Sequence, residues 1–231
     1  MRRTIIIAII LSVFVLISDD VSCSTDIRAV LTFTRGAYFE ARGDYQNAYR
    51  YYSYALGREP GVYWIKIAVA RTALEIGYLD IAHKYSKEVI DSGKYFSEAS
   101  MILALTEYLK GNKEEAQRVL ENLRSKEDFP RFQVLKLLSK IYIEMGKIDD
   151  AMKVLEEAKK LFPDDTYINY RLGSIYLRKK EYKRAIDAFK AVVEMSPEVL
   201  EAHLAIASIY RHIGKQICCE IWKISIRGRQ N

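Results

Sequence analysis

A fixed period limits what this chain can fold into more than any other feature of its sequence. An alanine recurs at Ala48, Ala82, Ala116, Ala151 and Ala185, and a cysteine takes the place at Cys219, with steps of 34 residues and one of 35. A second marker keeps the same register: Gly43, Gly77, Gly111, Gly146, Lys180 and Gly214. Glycine is favoured where a helix ends in a left-handed backbone conformation, which side chains with a Cβ enter only at a cost. Lys180 is the exception. The clearest copy, Thr166 to Val199, reads TYINYRLGSIYLRKKEYKRAIDAFKAVVEMSPEV. Leu172, Gly173 and Tyr176 share one helical face in its first half, and Ala185, Phe189 and Val192 share one in its second. Pro197 closes the unit because it lacks the amide that would continue a helix. A helical hairpin this short cannot bury its apolar stripes alone, so stacked copies are required. The register divides the chain into six units, at 29–62, 63–96, 97–131, 132–165, 166–199 and 200–231.

In this period and residue pattern, nearly everything after residue 28 resembles the tetratricopeptide repeat family. The best matching units are the first (GDYQNAYRYYSYAL, ending at Pro60), the fourth (Leu138, Tyr142, Gly146, Ala151, Ala158, Pro163) and the fifth. The resemblance implies an all-α fold: a right-handed superhelical solenoid of about six antiparallel helix-turn-helix repeats over 24–214, whose units touch only their neighbours. Half the residues are apolar, enough for such a core, and the 17 tyrosines suit its half-buried helix faces.

Residues 1–23 are of another kind. Met1-Arg2-Arg3 is a basic start, and Ile5 to Ile17 carries no charge. Thirteen helical residues span about 20 Å, short of the roughly 30 Å hydrocarbon core, so a secretory signal peptide fits better than a membrane span. An uncut anchor would still hold Arg2 and Arg3 in the cytoplasm, with the repeats on the far side. Either way the domain is exported, to a periplasmic or outer-surface location. Cys23, preceded by Val21 and Ser22, resembles the acylated cysteine of bacterial lipoproteins, whereas Asp19 and Asp20 depart from that pattern. Lipidation at Cys23, ordinary cleavage and a retained membrane tether are the alternatives.

The charge is +6 overall, but residues 24–214 carry 30 basic and 27 acidic residues. No basic stripe interleaved with aromatics runs along them, which argues against a nucleic-acid partner. Cys218 and Cys219 are adjacent, a poor geometry for a relaxed disulfide, and no metal-type spacing exists. His83, His203 and His212 are never four residues apart, and nothing resembles a nucleophile elbow or a phosphate loop. The chain is therefore expected to be non-catalytic, with no cofactor and no metal.

In this family the first helices of successive units line a concave groove in which partner peptides lie. Spacings of three, four and three residues place Trp64, Ile67, Arg71 and Leu74 on one stripe of the second unit. The third supplies Glu98, Met101, Leu105 and Tyr108, the fourth Gln133, Lys136, Lys140 and Ile143, and the fifth Tyr167, Tyr170, Ser174 and Leu177. The expected partner groove is thus Trp64, Ile67, Arg71, Met101, Leu105, Tyr108, Lys136, Lys140, Tyr167 and Tyr170, suited to a protein or peptide with apolar and acidic features. Members that clamp chaperone tails carry a lysine and an asparagine one helical turn apart, and no unit here has that pair.

The last unit changes character after Gly214. Lys223 falls where Phe189 packs in the unit before, and Ile217, Ile221, Trp222, Ile224 and Ile226 would leave an apolar end. Residues 215–231 read as an atypical second helix or a frame-shifted tail, and an apolar end would favour self-association. The functional expectation is a protein-binding scaffold outside the cytoplasm. The alternative is the accessory repeat region of a longer enzyme or of a secretion or transport subunit, truncated near residue 214.

Overall fold

The computed structural model describes residues 26–227 apart from 95, 127 and 128, and gives only the backbone of 215–227. The signal segment and Cys23 lie outside the described residues. Eleven α-helices and no strands occur among those described: α1 (Ile27–Glu40), α2 (Tyr45–Arg58), α3 (Tyr63–Glu75), α4 (Leu79–Asp91), α5 (Phe96–Leu109), α6 (Lys113–Arg124), α7 (Arg131–Glu144), α8 (Ile148–Leu161), α9 (Thr166–Arg178), α10 (Tyr182–Met195) and α11 (Leu200–Arg227). They form two compact bodies, each holding several repeats and called unit 1 (Met1–Pro130) and unit 2 (Arg131–Asn231) from here on.

One turn is built five times. Gly43, Gly77, Gly111 and Gly146 adopt positive φ, and Lys180 does the same at φ 61°. The next amide in each turn donates back over the helix end: Asp44 to Phe39, Tyr78 to Ala73, Asn112 to Glu107, Lys147 to Tyr142 and Glu181 to Tyr176, at 2.8–3.0 Å. These bonds satisfy carbonyls that the helix ends would otherwise leave unpaired. The register therefore prevails at Lys180 over its local preference. At the other helix ends, Asp26, Asp44 and Asp165 accept from the amides of Arg28, Asn47 and Ile168.

In the first unit α1 packs on α2 and α2 on α3. Phe33, Tyr52, Leu56, Trp64, Ile65 and Val69 share one buried cluster. Phe33 meets the edge of Trp64 at 4.5 Å and 88°. A second cluster, including Ile67, Ala73, Ala82, Val89 and Ile102, continues through α3, α4 and α5. In the second unit, Leu138, Ile141, Leu155, Leu172, Phe189 and Val192 are buried from α7 to α10.

Gly214 does not make a sixth turn. Helix α11 runs for 28 residues, Leu200–Arg227, straight through it. Glycine inside a helix costs about 1 kcal/mol, but an unbroken helix keeps its backbone bonds. A turn repays its lost helical bonds only when the second helix packs back. Cys219 and Lys223 stand where the fifth repeat has Ala185 and Phe189, a poorer packing face.

Candidate functional site

Spacing placed Trp64 and Ile67 in a groove, but both are buried in the packing of unit 1, with 8% and 4% of their surface exposed. Each sits in one of the apolar clusters described above. Period alone cannot separate a seam between helices from an open face. Met101, Leu105 and Tyr108 are half-buried on α5.

Arg71 is also on the expected stripe, but its charge is already matched. Its Nε donates to Glu40 Oε1 at 2.7 Å and its Nη2 to Glu40 Oε2 at 3.2 Å. Nη1 donates to Glu98, and Tyr52 Oη donates to Glu40 Oε2 at 2.6 Å. The network thus ties together α1, α2, α3 and α5. Burial pushes the Tyr52 phenol up, and the Glu40 carboxylate adds to the shift. Burial works against the Arg71 charge, but the Glu40 bond and the two carboxylates outweigh it and raise the value. With two carboxylates on one guanidinium, this part of unit 1 offers no spare positive charge to an acidic partner. Glu40 occupies the register position of Leu74 and Tyr108, so a carboxylate at an apolar stripe position was the available signal.

A second polar cluster in unit 1 surrounds Glu107, which stands where other repeats have Tyr142 and Tyr176. It is buried, with His83 Nδ1 at 2.7 Å from one oxygen and Asn112 Nδ2 donating to the other at 2.8 Å. Burial would raise its carboxyl pKa, but the bonds from Asn112 and His83 hold it below the ordinary range.

In unit 2 the residues of the expected stripe are less buried than Trp64 and Ile67. Lys136 and Lys140 of α7 are exposed, and Tyr167 and Tyr170 of α9 are half-buried. Lys136 Nζ lies 4.9 Å from the centre of the Tyr167 ring and 5.4 Å from that of Phe132. The Arg171 guanidinium lies 5.1 Å from the same Tyr167 ring. Tyr170 meets Phe189 edge-on at 5.7 Å, which fixes its ring against the core. The Tyr167 hydroxyl and Arg171 Nε are buried without a hydrogen-bond partner among the described residues. Neither Lys136 nor Arg171 has a carboxylate within ion-pair reach among them. Phe132 and Arg171 stand four residues from Lys136 and Tyr167 on the same helix faces, but the three-four-three spacing selected Gln133 and Tyr170 in their place.

Elsewhere in unit 2, Tyr176 Oη donates to Glu156 at 3.0 Å, and Arg184 bridges Glu156 at 2.8 Å and Glu181 at 2.7 Å. Burial and the bond to Glu156 push the Tyr176 phenol up to about 12. Among the described residues no three His, Cys, Asp or Glu side chains are grouped to hold a metal ion. No described helix is long and apolar enough to cross a membrane.

Known proteins share this architecture. Residues 137–199 match the family model described as "Tetratricopeptide repeat". Superkiller complex protein 3 of Homo sapiens is 29% identical over 119 residues, covering 52% of this chain and 7% of that protein. TPR repeat-containing protein YpiA of Bacillus subtilis is 22% identical over 173 residues, covering 75% of this chain and 40% of that protein. The chain thus spans a minor part of either relative. Among solved structures, MamA residues 41 to the end from Desulfovibrio magneticus RS-1 superposes with a TM-score of 0.68 at 19% identity. It covers 76% of this chain and 99% of that one. At that identity the likeness shows the fold alone.

Proposed function

We propose that this chain, a tetratricopeptide repeat protein, is a non-catalytic scaffold that holds an acidic, apolar-anchored peptide or protein segment on the first helices of unit 2. Repeats of this family generally mediate protein–protein interaction, and the observation that carries the finer reading is local. Tyr167 is bracketed by Lys136 and Arg171, two cations with aromatic faces but no carboxylate partner among the described residues. A cation over an aromatic ring gains about 0.5–1 kcal/mol at an exposed site, and its charge remains available to an anion. A carboxylate from a partner would meet both cations, while Tyr170 and Phe132 offer apolar contact. Aromatic and arginine groups are the types that dominate binding at such surfaces.

Charge reversal tests the assignment. The double variant Lys136→Glu, Arg171→Glu is expected to exchange capture of a Glu/Leu peptide for capture of a Lys/Leu peptide, with the circular dichroism unchanged. If the variant keeps the preference for the acidic peptide, the site lies elsewhere.

The scaffold works outside the cytoplasm in this reading. Support comes from the basic start, the uncharged run Ile5 to Ile17 and Cys23. Intact mass and fractionation of the chain expressed with its own first residues separate the alternatives. A diacylglyceryl or triacyl addition on a chain starting at Cys23 means a lipid tether, a shortened unmodified chain means a free module, and an uncut membrane-bound chain means an anchor. An uncut chain in the cytoplasm would defeat the export reading. A second reading, that the array is the accessory part of a longer protein, draws on the small share of each curated relative that this chain spans.

A further inference from the structure

The outer face of the first hairpin breaks the rule that the other repeats follow. In register, Ile65, Val69 and Thr72 of α3 and Ile168, Leu172 and Ile175 of α9 are all buried. The same positions in α1 are Leu31, Arg35 and Tyr38, and all three are exposed. With Arg28 they form a stripe spaced three, four and three residues, opposite the buried Ala29, Phe33 and Gly36. On α2, Arg50, Tyr54 and Arg58 form the matching stripe, opposite Ala48, Tyr52 and Ala55. The two stripes border one open groove of about 1190 Å³.

Its chemistry is one-sided. Arg28, Arg35 and Arg50 have no ion-pair partner among the described residues. Asp26, at the edge, is already bound to Arg58 at 2.6 Å. Ile27, Leu31 and Tyr54 are 74%, 61% and 57% exposed among these cations. Ser53, which also lines the groove, has a buried hydroxyl without a hydrogen-bond partner among the described residues. A face shaped only for solubility would mix both signs and few apolar groups. This local stripe corrects the expectation that no basic run interleaved with aromatics occurs in 24–214, and its arginines, tyrosines and aliphatic side chains match the phosphate and interfacial layers of a bilayer.

The chain before Asp26 supplies the second argument. Only eight residues separate Ile17, the end of the uncharged run, from Asp26. Even fully extended they reach about 30 Å. If that run or a lipid on Cys23 holds the membrane, this hairpin is the part of the array kept nearest to it.

We propose that the outer face of α1 and α2 rests on an anionic phospholipid surface, with Arg28, Arg35 and Arg50 meeting head-group phosphates and Leu31 and Tyr54 entering the interface. The inference rests on the membrane-proximal reading of the N-terminus. Beside such an attachment a basic, apolar-studded patch adds electrostatic attraction to anionic lipid and sets which face of the array meets the surface.

The test uses the full chain and vesicles of phosphatidylcholine alone or mixed with phosphatidylglycerol. The wild type is expected to partition onto the anionic vesicles on the order of a hundredfold more strongly than onto the neutral ones, a preference that salt weakens. The triple variant R28Q/R35Q/R50Q should lose the preference and keep its melting temperature and its partition onto neutral vesicles. Equal partition of the wild type onto both vesicles overturns the proposal, as does a triple variant that retains the preference. If the variant instead changes only the sedimentation coefficient, the face joins two copies and the lipid assignment is wrong. Failure of the tether reads out separately, as lost partition onto neutral vesicles.

Discussion

Gly173 and Phe189 show how tightly single residues are fitted in this fold. A Cβ at position 173 would lie 2.9 Å from the Phe189 ring, and one at Gly36 would lie 2.6 Å from Tyr52. Both rings are almost wholly buried, so neither can swing away. Gly173→Ala gains about 1 kcal/mol of helix propensity but overpacks by about 1–3 kcal/mol, and a lower unfolding midpoint is expected. Adding Phe189→Leu should recover part of that loss, a coupling that a double-mutant cycle reads directly. Lys180 goes the other way. Holding a non-glycine residue at positive φ costs about 1–2 kcal/mol, so Lys180→Gly should raise stability, by somewhat less than that because glycine loses more freedom on folding. Glu107 gives a pH signature. Its folded pKa lies below the ordinary 4.5, so its stabilisation is complete above 4.5 and is lost as the pH falls through the lower folded value. Acid unfolding of Glu107→Gln should therefore be shallower over that window. The buried glutamate was visible in the sequence as a break from tyrosine at its register position, whereas its partner His83 was not, because it comes from the preceding helix hairpin.

At the scale of elements, the period carried most of the information. Helix boundaries and five turns are set by the recurrence of glycine and alanine, and at Lys180 the register predicts the turn that composition alone would deny. The sixth turn is different. Gly214 keeps the spacing, but the segment after it lacks the alanine and the phenylalanine against which a second helix would dock, so α11 continues. Spacing also assigned faces without their neighbours. It put Arg71 and Glu98 at stripe positions of neighbouring repeats but did not show that Glu98 and Glu40 both meet the Arg71 guanidinium. The marker alanines make the packing rule testable. Ala151 is fully buried on α8, and Ala151→Phe should overpack its hairpin by about 1–3 kcal/mol. An unchanged unfolding midpoint would remove Ala151 from the core.

At the scale of the whole molecule, the near balance of charge over residues 24–214 conceals local differences that bear on binding. Arg71 in unit 1 is answered by two carboxylates, whereas Lys136 and Arg171 in unit 2 meet aromatic rings and no carboxylate among the described residues. Net charge does not reveal such a contrast, since it depends on which side chains the hairpins bring together. The scaffold reading accordingly places an acidic partner on α7 and α9, and the outer face of the first hairpin is kept for a different surface. The measurement that bears most directly on this is hydrogen exchange of the full chain with and without a saturating Glu/Leu peptide. Slower exchange concentrated in α7 and α9, and abolished by Lys136→Glu with Arg171→Glu, is the predicted result. Unchanged exchange in both helices, or protection confined to the helices of unit 1, would contradict it.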